Sequence, residues 1–278
     1  MPLTTPKITT EPQPDEFPYG WRRVAETLPG GKVIYHEIPL TQEDFLDPQL
    51  EDQMVQNNKH GEYSSDLFSI FRTRYRHDPT VGVFWDIKMR WGIAGLKEPA
   101  PDVAVVPNLQ NKSAYRPSFD VTEEGTGPGL IIEVVSPQYP GDDTDKVTIY
   151  EQAGVNEYFI INPHSNKVKP YYEIKAYRLH LSKYRPIQPD SQNYLLSQTT
   201  NVRFGVSHNR KRLILKDALT GQVLLTPEES GEALLEAEAR AQQAEARAQQ
   251  AEVRAQSEAK ARTELENRLR ELEAKLKK

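Results

Sequence analysis

The chain has no cysteine. Disulfides and cysteine-ligated zinc are therefore excluded, and this usage fits a reducing cytosol. No apolar run approaches the roughly 18–20 residues of a membrane span. The first 18 residues are polar and proline-rich and lack the apolar core of a signal peptide. The expectation is a cytoplasmic protein without a membrane partner. Positive charge is not in excess either: 35 Lys and Arg against 40 Asp and Glu leave a net charge of −5. A nucleic-acid contact would have to come from a local patch and not from the overall field. Hydrophobic residues make up only 37% of the 278, so part of the chain has no core of its own.

Composition divides what is present into three regions. Residues 1–18 carry few apolar anchors and read as a disordered segment. Residues 19–226 hold all three Trp and nearly every aromatic, so the core lies there. Residues 227–278 read as a helical coiled-coil tail, in which AEARAQQ at 237–243 recurs at 244–250, a period of seven. One register puts Leu234, Ala241, Ala248, Ala255, Arg262, Leu269 and Leu276 at a, with Ala237, Ala244, Ala251, Glu258, Leu265 and Leu272 at d. That pattern predicts a coiled coil, pairing with itself as a homodimer or with a coiled-coil partner. A single charged helix without a partner is the simpler alternative.

In the body, residues 32–37 read as a strand, 62–75 as a helix with Leu67, Ile70 and Phe71 on one face, and 81–90 as a strand. Residues 103–106 and 130–135 are apolar runs that fit buried strands. Residues 142–153 read as a helix capped by Asp142 and ended by Gly154, and 157–161 as the next strand. Further strands are expected at 168–173, 176–181 and 212–215. Strand–helix–strand order flanked by strands predicts an α/β protein of the α+β type, a mixed sheet flanked by helices.

Glu133 is the strongest chemical signal. A carboxylate inside the apolar run LIIEVV is costly unless paired, hydrogen-bonded or bound to a metal. Alternation would let Glu133 face water, but the run is apolar on both faces. Asp102 alone reads as a turn or cap residue, and Lys146 alone as a solvated helix lysine. As a set they mean more. Two carboxylates from neighbouring strands can hold Mg²⁺, and a lysine beside them can orient or deprotonate a water and stabilise charge on a phosphate. That is the equipment of phosphodiester hydrolysis, with Asp102, Glu133 and Lys146 as catalytic candidates.

PDVAVVP at 101–107, GLIIEVVSP at 129–137 and DDTDKVTIYEQAGVNEYFIINP at 142–163 together resemble the Uma-type family of restriction endonucleases, in the PD-(D/E)XK nuclease superfamily. The likeness lies in the Pro–Asp pair, the strand ending E-V-x-S-P, an Asp and a Lys four apart, Tyr150 four beyond that lysine, and A-G-V-x-E-Y. The resemblance implies a restriction-endonuclease-like core, a Mg²⁺-dependent endonuclease (Mn²⁺ substituting) acting on DNA, and metal ligation by Asp102 and Glu133 with the Val134 carbonyl as third ligand. The superfamily lysine stands two residues after the acid, where this chain has Val135; the Uma-type pattern moves it to the next helix, here Lys146.

Arg72, Arg74 and Arg76, with Tyr75 and His77, read equally as phosphate contacts or as a positive helix end. Lys88 and Arg90 share a strand face that would suit a phosphate backbone. Ser136 reads as a turn residue, and His60 and His77 as surface residues. The competing function is a non-cleaving DNA-binding or scaffold module assembled through its coiled coil.

Overall fold

The computed structural model describes residues 17–49, 51–55, 58–136, 140–164 and 171–276. The segment expected to be disordered lies outside them except for residues 17 and 18. The chain divides into two compact units at Thr226–Pro227.

The first unit opens with an antiparallel sheet of β1 (Gly20–Thr27), β2 (Val33–Pro39) and β3 (Asp52–Met54), in the order β2-β1-β3. After α1 (Asn58–Arg74) come β4 (Gly82–Phe84), β5 (Met89–Arg90), β6 (Val103–Val106), β7 (Phe119–Asp120) and the short helix α2 (Val121–Glu124). Then follow β8 (Leu130–Val134), α3 (Asp145–Gln152), β9 (Glu157–Asn162), β10 (Glu173–His180) and β11 (Lys183–Pro186). The unit ends with β12 (Leu195–Ser197), β13 (Val202–Val206), β14 (Leu213–Asp217) and β15 (Val223–Leu224). The principal sheet has six strands in the order β11-β10-β9-β8-β6-β4. β8 and β9 run parallel, joined through α3, and every other pairing in that sheet is antiparallel. This is a mixed α/β fold.

Alternation along the central strands builds two cores. Val103, Val105, Leu130, Ile132, Val134, Phe159 and Ile161 face α1 and the β12–β15 sheet, where they meet Phe71 and Phe204. Ala104, Val106, Ile131, Tyr158 and Ile160 face the other way, toward Ile149 and Tyr150 of α3. All five residues of β8 are buried, so both faces of that strand are covered. Each fully buried large side chain contributes roughly 1.5–3 kcal/mol.

Several expectations shift in detail. The strand read at 81–90 is broken into β4 and β5, because Asp86 takes a positive φ of 49° and donates its N–H to Pro101. The helix read at 142–153 is two pieces, a 3-10 turn at Pro140–Asp143 and then α3. Gly154, at φ 78°, follows α3 in the left-handed region as expected. Of the strand read at 168–173, residues 168–170 lie outside the described residues, and β10 opens only at Glu173. β1, β12 and β13 carry no motif that announces them.

Glu157 ties the two main sheets together. It is 1% exposed, and its carboxylate accepts from Ser197 Oγ (2.6 Å), Gln198 N (2.9 Å), Thr199 N (3.1 Å) and Arg178 Nε (2.8 Å). Removing the carboxylate strands those donors. Glu157→Ala should cost about 3–5 kcal/mol in urea unfolding; a loss below about 1 kcal/mol would show that the clasp contributes little.

The second unit is one helix, α4 (Pro227–Leu276), of 50 residues. No helix among the described residues is long and apolar enough to cross a membrane.

Candidate active site

Antiparallel pairing of β6 and β8 sets Val103 opposite Ile132. One step further along, Asp102 comes opposite Glu133, and both side chains point to the α3 face by alternation. The two residues also bond directly. Asp102 N donates to Glu133 Oε2 at 3.4 Å, and Val134 N donates to Asp102 Oδ2 at 2.7 Å. Glu133 is 2% exposed, so it does not face water.

Lys146 arrives from the first turn of α3. Its Nζ lies 3.0 Å from Glu133 Oε1 and 2.9 Å from Asp142 Oδ1. One turn later Tyr150 donates its hydroxyl to Glu133 Oε1 at 2.6 Å. Asp102, Glu133 and Lys146, though 44 residues apart in sequence at their extremes, line one small cavity of about 50 Å³ with Asp142, His60, Asp86, Val134 and Ser136.

Two members of this cluster depart from the sequence reading. Asp142 does not cap the helix; Thr144 occupies that position, and the Asp142 carboxylate instead holds Lys146. Its spacing of four before the lysine was the available signal. His60 is not a surface residue: it is buried, with Nε2 at 3.2 Å from Asp102 Oδ2. Nothing local in the sequence marks it, because its partner lies 42 residues away on another element.

Electrostatics follow from this crowding. Burial opposes charge on Lys146, but the carboxylates of Asp142, Glu133 and Asp102 outweigh it and hold the ammonium well above its ordinary range. His60 is desolvated too, yet the Asp102 carboxylate raises it. Asp102 pays for burial as well, but hydrogen bonding and charge from His60, with Lys146 and the Val134 N–H, hold it below the usual carboxylate range. Glu133 goes the other way: burial, together with Asp102 and Asp142 and against the pull of Lys146, pushes it up to about 8. With every carboxyl ionised, three buried carboxylates face one lysine and one histidine, a negative surplus whichever form His60 takes; the proton that Glu133 keeps below about 8 removes one unit of it.

That surplus, offered on oxygen atoms, suits a hard divalent cation. Among the described residues no three His, Asp or Glu side chains form a group that holds a metal by themselves. Mg²⁺ does not require one, since it commonly binds one or two carboxylates and keeps several waters. Asp102 and Glu133 fit that mode.

The basic residues resolve toward structure. Arg74 bonds Asp217 Oδ2 (2.6 Å) and the Thr200 carbonyl (3.1 Å), tying α1 to the second sheet. Lys88 is held by Asp47 (2.7 Å) and the Pro48 carbonyl (2.9 Å), and Arg90 lies 3.5 Å from Asp120. Arg72 lies over the Phe68 ring, and Arg76 donates to His77. Lys112 covers the end of α1, donating to the carbonyls of Tyr75, Arg76 and Asp78.

The displaced Glu133 sets a pH dependence. Between about 4.5 and about 8 the native state keeps a proton that the unfolded chain has released. Native stability therefore falls as pH rises through that window. Glu133→Gln, a neutral stand-in for the protonated acid, should remove this slope. Without divalent metal, the melting temperature of the parent should drop relative to Glu133→Gln from about pH 5 to about pH 8; a constant gap would contradict the assignment.

A search of curated proteins returned no match. Among solved structures the chain is similar to a "putative nuclease belonging to DUF820" from Anabaena variabilis ATCC 29413. The two share 16% identity over 63% of this chain and 82% of that one, with a TM-score of 0.39. The profile of the family described as "Uma2: Putative restriction endonuclease" matches residues 35–205, more than half of the chain and all of the cavity-lining cluster. The chain therefore belongs to the Uma2 family.

Proposed function

We propose that this chain is a metal-dependent endonuclease that hydrolyses phosphodiester bonds in DNA. The observation that carries the reading is the convergence of Asp102 and Glu133, from adjacent strands, with Lys146 in one cavity. Family membership supports the same class of reaction.

Asp102 and Glu133 would hold Mg²⁺ or Mn²⁺, with the Val134 carbonyl as a third ligand. A bound divalent ion supplies Lewis acidity toward a phosphoryl oxygen and lowers the pKa of a ligated water. Lys146 keeps its proton, because three carboxylates surround it. It therefore serves as a hydrogen-bond donor and fixed positive charge, orienting the attacking water and stabilising the phosphate oxygens. It is poorly suited to act as a base. Tyr150 fixes the rotamer of Glu133 through Oε1, and His60 together with the Val134 N–H fixes Asp102 through Oδ2. In hydrolysis a water oxygen bonds to phosphorus as the P–O bond to the sugar breaks, and the leaving oxygen takes up a proton.

Incubation of supercoiled plasmid with the full-length protein and Mg²⁺ or Mn²⁺ should yield nicked or linear product, and chelator should stop it. Asp102→Ala, Glu133→Ala and Lys146→Met should each slow cleavage by at least about a hundredfold, with circular dichroism unchanged. A parent protein that never cuts, or a Glu133→Ala variant that cuts equally well, would defeat the reading.

A further inference from the structure

α4 leaves an apolar seam in solvent. Every residue from Gly231 to Arg270 is exposed, and Leu265, Leu269 and Leu272 are exposed by 69%, 61% and 55%. These three leucines, with Leu234 at the other end, fall on the a and d positions of one heptad register. The residues beside the seam are sorted by sign. From Leu234 onward the e positions are Glu238, Glu245, Glu252, Glu266 and Glu273, with Ala259 the one exception. The g positions are Arg240, Arg247, Arg254, Arg268 and Lys275, with Ala261 the one exception.

We infer that α4 pairs with α4 of a second copy of this chain, parallel and in register. In a parallel pair, each g residue faces the e residue of the partner's next heptad. Arg240 then meets Glu245 of the second copy, Arg247 meets Glu252, and Arg268 meets Glu273. The two alanines oppose Arg254 and Glu266 and bring no like charges together. In an antiparallel pair, e faces e and g faces g, setting glutamate against glutamate and arginine against arginine along the whole seam. Charge complementarity therefore selects both the occupant and its direction. In register the whole of residues 234–276 overlaps; Glu258 at d and Arg262 at a then each meet their own copy, a local like-charge cost that a slipped pair would trade for lost overlap at both ends. Within one helix Arg240 lies 3.2 Å from Glu236, and Arg262 lies 3.2 Å from Glu266. Such exposed pairs are weak and do not compete seriously with a partner.

This inference does not depend on the nuclease reading, and its test does not use cleavage. The absence of native cysteine makes the test direct. Leu234→Cys and Leu269→Cys are made separately in the full chain. In a parallel dimer each new thiol meets its own copy, so each variant forms a disulfide-linked dimer on mild oxidation, and mixing the two yields no 234-to-269 cross-link. In an antiparallel dimer, thiols of one variant lie on the order of 50 Å apart. Light scattering of the parent should give twice the 31.7 kDa chain mass. Arg240→Glu combined with Arg247→Glu should raise the dimer dissociation constant by about tenfold or more at low salt. A monomer mass, cross-links formed only in the mixture, or an unchanged dissociation constant would overturn the proposal.

Discussion

Three carboxylates are buried side by side where β6 begins and β8 ends, and the Lys146 ammonium, within 3.0 Å of two of them, makes that burial tolerable. An unpaired buried charge costs several kcal/mol, so the placement of α3 is not free. The helix must start where Lys146 can reach both Glu133 and Asp142. The 3-10 turn ahead of it brings Asp142 within reach, and the Tyr158 hydroxyl holds that turn through the Asp142 carbonyl at 2.7 Å. One turn on, Tyr150 closes the remaining approach to Glu133 Oε1 and packs edge-on against Tyr158 at 4.9 Å.

The same strands that carry the acids carry the cores. Odd-numbered residues of β6 and even-numbered residues of β8 fill one face, and their neighbours fill the other. Asp102 and Glu133 occupy the end of the second set, where the sheet runs out and a cavity begins. Rigid strands, not loops, therefore fix their separation. α1 adds His60 from a different element, so the cluster draws on two strands, the 3-10 turn and two helices.

How much of this was legible depended on how local each signal was. Glu133 could be found because a charged residue inside LIIEVV violates the apolar run in plain view. The ends of β6 and β8 were legible because prolines and a glycine bound them. The role of Lys146 depended most on the family resemblance, since its carboxylate partners are set by how α3 docks. His60 was read as a surface residue because its neighbour Asp102 is joined to it only by tertiary packing. The break between β4 and β5 escaped notice for a similar reason: Asp86 adopts φ 49° to reach the Pro101 carbonyl, a contact no local pattern encodes. Arg74 reads equally as a phosphate contact or a helix-end charge, and only its bond to Asp217, more than 140 residues away, decides between them.

The position of the cluster also bears on synthesis. Asp102 and Glu133 are neighbours only through the β6–β8 ladder, and Lys146 joins them only when α3 has packed on that ladder. A chain emerging from the ribosome therefore carries none of this geometry until residues through α3 are out and docked. β8 in turn needs β9 along its other edge before its backbone groups are satisfied. A partly made or partly unfolded copy holds scattered acids instead of a cluster, so whatever chemistry the cluster performs is switched on by completion of the central sheet.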